Sequence, residues 1–193
     1  MKRCSVHAIQ AAVIGLAIGA MASCGGYDPD ATTTLYLPDY DAFRDYVHPY
    51  LNKQCGTLDC HGQVGRPLRI YGKRGLRLFD KNAGLVPGGD ETVPEEYRAT
   101  YESVLGLEPE ATRRVVACDQ DPETLLFLRK PKGLGPNQSD SNGTATGERH
   151  KGGTVITPAS AEAVCLRGWL AASCNPGGFE AVRRECEDAL KRP

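Results

Sequence analysis

Cysteine stands at positions 4, 24, 55, 60, 118, 165, 174 and 186 of this 193-residue chain, and what each sulfur can bond to limits the folds open to the rest. Cys4 lies in MKRCSVHAIQAAVIGLAIGAMASC, where Lys2 and Arg3 precede an apolar run from Ala11 to Ala22 and then small residues. That layout is a secretory signal peptide, and the run is too short to span a bilayer as a helix. The expected destination is an oxidising compartment, in which thiols pair. With Cys4 and Cys24 set aside, six cysteines remain. They can form three disulfides, or two disulfides while one pair bonds to something else; parity allows both.

Met21-Ala22-Ser23-Cys24 resembles the bacterial lipobox, with Met21 where leucine is usual. The resemblance implies that Cys24 is the lipid-modified first residue of the mature chain; ordinary cleavage after Ser23 is the alternative. The expected organisation is a lipoprotein signal peptide over 1–23, a flexible tether over 24–38 and a folded domain over 39–193. The tether GGYDPDATTT is polar, glycine-bearing and without apolar periodicity. Gly25 follows Cys24 where an inner-membrane retention signal would carry aspartate, so an outer-membrane anchor facing the periplasm is preferred.

Removing the 23 signal residues from 193 leaves 170, one domain's worth. Losing Lys2 and Arg3 from 23 basic residues, against 24 acidic, gives a net charge of −3. That balance gives no reason to expect nucleic acid as a partner. Locally, RPLRIYGKRGLR gathers Arg66, Arg69, Lys73, Arg74 and Arg77 with no acid between them. Such a run could meet anionic groups or an acidic partner, and is more often a solvated face.

The periodicities are those of a mainly α protein with short segments. DYDAFRDYVHPYLNKQ places Phe43, Val47 and Leu51 at four-residue steps, with Pro49 kinking the helix or starting a second piece. PLRIYGKRGLRLF predicts a small hairpin or an extended loop. PEEYRATYESVLGL sets Tyr97, Tyr101, Val104 and Leu105 on one helix face, and DQDPETLLFLRKP begins with Asp121 as cap and Pro122 in the first turn. Residues 132–153, rich in Gly, Ser, Asn and Thr, predict a long loop. SAEAVCLRGWLAAS and GFEAVRRECEDALKR read as two helices joined by NPGG, with Trp169 in the core. In an antiparallel hairpin about Asn175 and Pro176, Cys165 and Cys186 lie equally far from the turn. That favours Cys165–Cys186 and leaves Cys118–Cys174, one of three pairings open to four cysteines.

The remaining sulfurs fall in CGTLDCHG, residues 55–62. Two thiols followed at once by histidine are what covalent c-type haem needs: thioethers to the two vinyl groups and an adjacent imidazole for the iron. Four residues intervene here where two are usual, and Gly56 gives the larger loop freedom to bulge. The rivals are a simple Cys55–Cys60 disulfide and, less favoured, a zinc site on Cys55, Cys60 and His61, which would need a fourth ligand.

Val47-x-Pro49-x-Leu51 followed by Cys55 and Cys60-His61-Gly62 resembles the opening of single-haem cytochrome c-like domains in exported bacterial proteins. Asp121-Pro122-Glu123 with Leu125-Leu126 and Leu128-Arg129-Lys130-Pro131 is similar to their helix before the distal loop. His150-x-Gly152-Gly153 and Leu166-Arg167-x-Trp169-Leu170 resemble the distal loop and closing helix of one subgroup. The resemblance implies a small cytochrome c-like helical domain with heme c, attached at Cys55 and Cys60, with His61 as proximal iron ligand. The only methionines, Met1 and Met21, leave with the signal, so a sixth ligand would be His150 or, less favoured, His48. Bis-histidine ligation lacks the thioether that raises the potential, so a low-potential carrier is expected.

Two functions stay open. One is a lipid-anchored electron carrier of the cell envelope working with a redox partner protein. The other is a haem-free, disulfide-stabilised envelope lipoprotein with a binding or structural role. No paired carboxylates, activated serine or acid/base constellation points to an enzyme.

Overall fold

A computed structural model describes residues 36–80, 84–133, 148 and 150–191. The predicted signal peptide, Cys24 and most of the tether and of the 132–153 loop lie outside the described residues. The chain divides into Met1–Thr34 and Leu35–Pro193, and the elements below belong to the second unit.

Asp39 opens the first helical run by accepting the Ala42 backbone N–H on its carboxylate at 2.6 Å. Helix α1 (Tyr40–Ala42) passes into a π-helical stretch, Phe43–Val47, and then into α2 (His48–Gln54). Proline is the reason for the change of pitch. Pro49 has no N–H and its ring crowds the carbonyl four residues back. The wider π turn, in which His48 N–H reaches Phe43 O, lets the run pass through proline without breaking. Phe43, Val47 and Leu51 are all buried on its inner face.

The chain after α2 holds little regular structure. Two two-residue strands, β1 (Phe79–Asp80) and β2 (Gly84–Leu85), pair antiparallel with Phe79 opposite Leu85. The extended pairing therefore falls at the end of the predicted hairpin segment and beyond it; within the segment there is a single bridge, Tyr71 to Leu76. Arg77 departs from the solvated basic face expected of its run. Its guanidinium donates to both oxygens of Glu96, at 2.8 and 2.9 Å, and to the carbonyls of Pro87, Asp90 and Glu91. Those contacts use all five of its N–H donors. The Glu96 carboxylate, fully buried, also accepts the Leu78 and Val93 N–H groups. It thereby caps α3 (Pro94–Leu105) from its third position.

Helix α4 (Pro109–Val116) has the signature of proline at its start, Glu110 in the first turn and Arg113 and Arg114 in the last. A 3₁₀ turn, Pro122–Thr124, capped by Asp121, leads into the short α5 (Leu126–Arg129). Helix α6 (Ala161–Leu170) runs through the core, and a pair of 3₁₀ turns, Ala172–Cys174 and Gly178–Ala181, returns the chain to α7 (Arg183–Lys191). Disulfides join Cys165 to Cys186 across α6 and α7, and Cys118 to Cys174. Each bridge contributes on the order of 2–4 kcal/mol by restricting the unfolded chain.

Trp169 is the centre of the core. It is fully buried, its ring lies 5.3 Å from that of Phe43, and its indole N–H donates to Asp39 O at 2.8 Å. Tyr101 from α3 meets Phe43 at 5.2 Å and donates its hydroxyl to Pro38 O. The molecule is mainly helical, and among the described residues no helix is long and apolar enough to cross a membrane.

His48 is packed into this core, 1% exposed, with Nε2–H donating to Tyr71 O at 2.9 Å. Burial pushes its pKa below the ordinary histidine value, against the smaller opposing effects of Tyr71 O and Glu96. The unfolded chain therefore binds a proton at a pH where the folded protein does not. His48 contributes stability that is complete above the unfolded pKa of about 6.5 and is lost as pH falls through the lower folded value. Denaturant unfolding should show a midpoint that drops from about pH 8 to about pH 5, and a smaller drop in His48→Gln. An equal drop in both proteins would remove His48 as a cause.

Candidate functional site

Helix α2 ends at Cys55, whose N–H still bonds to Leu51 O at 2.8 Å. The chain then winds into a tight loop. Cys60 and Gly62 N–H groups both reach Thr57 O at 2.9 Å, and His61 N–H reaches back to Cys55 O at 2.8 Å. This loop is held by close backbone approach. A Cβ on Gly62 would sit 2.2 Å from Gly56 O, and one on Gly75 would sit 1.8 Å from the same oxygen. A Cβ on Gly56 itself would meet Asn52 O and Ile70 Cγ2 at 2.9 Å. Gly56 is thus required for lack of room; its φ is not positive, so the bulging freedom expected of it is not what the position uses.

Cys55, Cys60, His61 and His150 all line one cavity of about 510 Å³. Neither cysteine is in a disulfide; Cys60 is exposed, while Cys55 is half-buried and packs against the core cluster. In the structure these two sulfurs are not joined to each other. Burial, with Cys60 adding a smaller effect, pushes the Cys55 thiol up to about 12, so it stays protonated at neutral pH. The walls are mostly apolar, with Tyr50, Leu68, Phe127, Ile156 and Leu166 among them and Lys130 as a cation. This is the character of a small-molecule or cofactor pocket.

The two histidines come from segments far apart in the sequence and both line this cavity. Their rings are within 14° of parallel with centres 6.1 Å apart. Each is oriented by a backbone carbonyl: His61 Nδ1–H donates to Leu68 O at 3.1 Å, and His150 Nδ1–H donates to Gly153 O at 2.8 Å. Both rings are thereby held in the tautomer that leaves Nε2 unprotonated, with no hydrogen-bond partner among the described residues. For His150 the carbonyl belongs to a turn closed by Gly153 N–H on His150 O, with Gly153 at φ +76°. Burial lowers the His61 pKa, and the nearby His150, Arg66 and Lys130 lower it further, against the smaller opposing effect of Leu68 O. His61 is a neutral donor nitrogen at neutral pH.

A metal held between two imidazoles, each nitrogen at about 2 Å with its ring centre about 1.2 Å further on, separates the ring centres by about 6 Å. The two ring centres stand at a distance of that order, with the rings stacked near parallel. Among the described residues no group of three or more His, Cys, Asp or Glu could hold a metal ion. The zinc set of Cys55, Cys60 and His61 is therefore not assembled. His48 does not line this cavity, and its Nε2 is committed to Tyr71. Trp169, in the core, does not line it either.

Sequence reasoning missed Leu68 O, Gly153 O and Lys130. A carbonyl that orients a ring has no side-chain signature, so Leu68 offered none. The glycine pair after His150 was the visible trace of the second. Of the basic run, Arg66 lies at the site, donating to Cys60 O at 3.2 Å, while Lys73 is paired with Glu91.

Comparison of the chain with protein-family models, curated proteins and solved structures finds no match.

Proposed function

We propose that this protein is a lipid-anchored, cytochrome c-like electron carrier of the cell envelope. In this reading Cys55 and Cys60 would hold heme c covalently, and His61 and His150 would offer nitrogens to its iron. One observation carries it: two imidazoles, each with Nδ1 committed to a backbone carbonyl and their near-parallel rings 6.1 Å apart, stand in a mostly apolar cavity that also presents two unpaired cysteines. Bound there, haem would supply a one-electron couple at its iron. The chain's own part is to hold and insulate. Leu68 O and Gly153 O fix the ring tautomers, as outer-shell partners of metal-bound histidine commonly do. Tyr50, Phe127 and Ile156 exclude water, and Arg66 and Lys130 set a positive field beside the ring of His61. Without methionine in the exported chain, the ligand pair is histidine twice and the potential low.

The test is to export the protein alongside haem-maturation machinery and stain a denaturing gel for peroxidase activity. Colour that survives denaturation means thioether-linked haem. Intact mass then reads the same outcome: a haem increment supports the proposal. Loss of six hydrogens, from three disulfides, establishes the haem-free lipoprotein with Cys55 joined to Cys60 instead.

A further inference from the structure

Resting on the reading of this cavity as a haem-attachment pocket, we propose that its two sulfurs bond in a fixed order, Cys60 first and Cys55 second. The two cysteines differ in place. Cys60 is exposed on the loop that ends in His61, while Cys55 closes helix α2 and packs against the hydrophobic core. The main-chain bonds from Cys60 and Gly62 to Thr57 O and from His61 to Cys55 O fix that difference in the backbone. A vinyl group arriving from solvent meets Cys60 without displacing protein. It reaches Cys55 only after the ring bearing it has entered the cavity.

Each attachment is an addition. The sulfur bonds to the inner vinyl carbon, the carbon–carbon π bond breaks, and the thiol's proton ends on the terminal carbon. No net electrons are exchanged, so neither step needs an added oxidant or reductant. The first bond makes the second intramolecular, which raises the effective concentration at Cys55 and offsets its poor access. The order thus follows from exposure at one sulfur and tethering at the other.

Two measurements test this. In haem-free protein kept reduced at 55 and 60, with both structural disulfides intact by mass, brief treatment with iodoacetamide is followed by denaturation and labelling with N-ethylmaleimide. Peptide mass mapping should show Cys60 alkylated at least ~10-fold faster than Cys55. In protein matured with haem, Cys55→Ala should keep most of its covalent haem through one thioether, while Cys60→Ala should lose it by at least ~10-fold. Circular dichroism establishes that both are folded, and Cys60→Ser replaces the alanine variant if it is not. Equal labelling, faster labelling of Cys55, or equal haem in the two variants overturns the order while wild type still carries haem. Wild type that takes no covalent haem overturns the attachment reading itself.

Discussion

Arg77→Met should destabilise the folded protein by about 3–5 kcal/mol, read as a lower urea midpoint with the slope unchanged. The cause is what the change leaves behind. Glu96 is 0% exposed and its charge is balanced by a guanidinium 2.8 Å away that is itself 5% exposed. Without that partner a buried carboxylate stands alone, and the carbonyls of Pro87, Asp90 and Glu91 lose their donor together. The Val93 and Leu78 N–H bonds to Glu96 do not replace a full charge. Replacing both partners, as in Arg77→Met with Glu96→Leu, should recover part of the loss, because an apolar pair avoids the desolvation that the ions incur. A single variant within about 1 kcal/mol of wild type would mean that the buried pair is not needed.

His150→Ala in haem-matured protein should convert a six-coordinate low-spin spectrum into a five-coordinate or water-bound one. The reduced variant should then take up carbon monoxide readily, where wild type does so poorly. His150 reaches the cavity from a turn closed by Gly153 N–H on His150 O, and its ring is oriented by Gly153 O. The ring of His48, the remaining histidine of the domain, is held against Tyr97 at 4.4 Å and bonded to Tyr71. An unchanged low-spin spectrum would remove His150 as a ligand while leaving covalent attachment at Cys55 and Cys60 intact.

Much of the helical framework was legible because its signals are local. The four-residue steps of Phe43, Val47 and Leu51, the proline and acids opening α3, and the equal distance of Cys165 and Cys186 from a turn all operate within a few residues. Helix α4 carries the same kind of local signal in Pro109 at its start. The π turn before Pro49 was less accessible: sequence indicates that proline must be accommodated, but not whether by a kink, a break or a wider turn. The fate of Arg77 could not be read at all, since its acid partner lies 19 residues away. In the cavity, the side chains that chemistry requires were visible as residue types. Their meeting depends on Leu68 and Gly153 carbonyls, which every sequence contains and none advertises.

The three glycines at 56, 62 and 75 have a genetic consequence. Every amino-acid replacement at any of those codons adds at least one carbon where a main-chain oxygen or its neighbours already fill the space. The geometry between the two sulfurs and the imidazole is therefore guarded by exclusion, and missense changes there should be purged whether or not a cofactor is ever loaded.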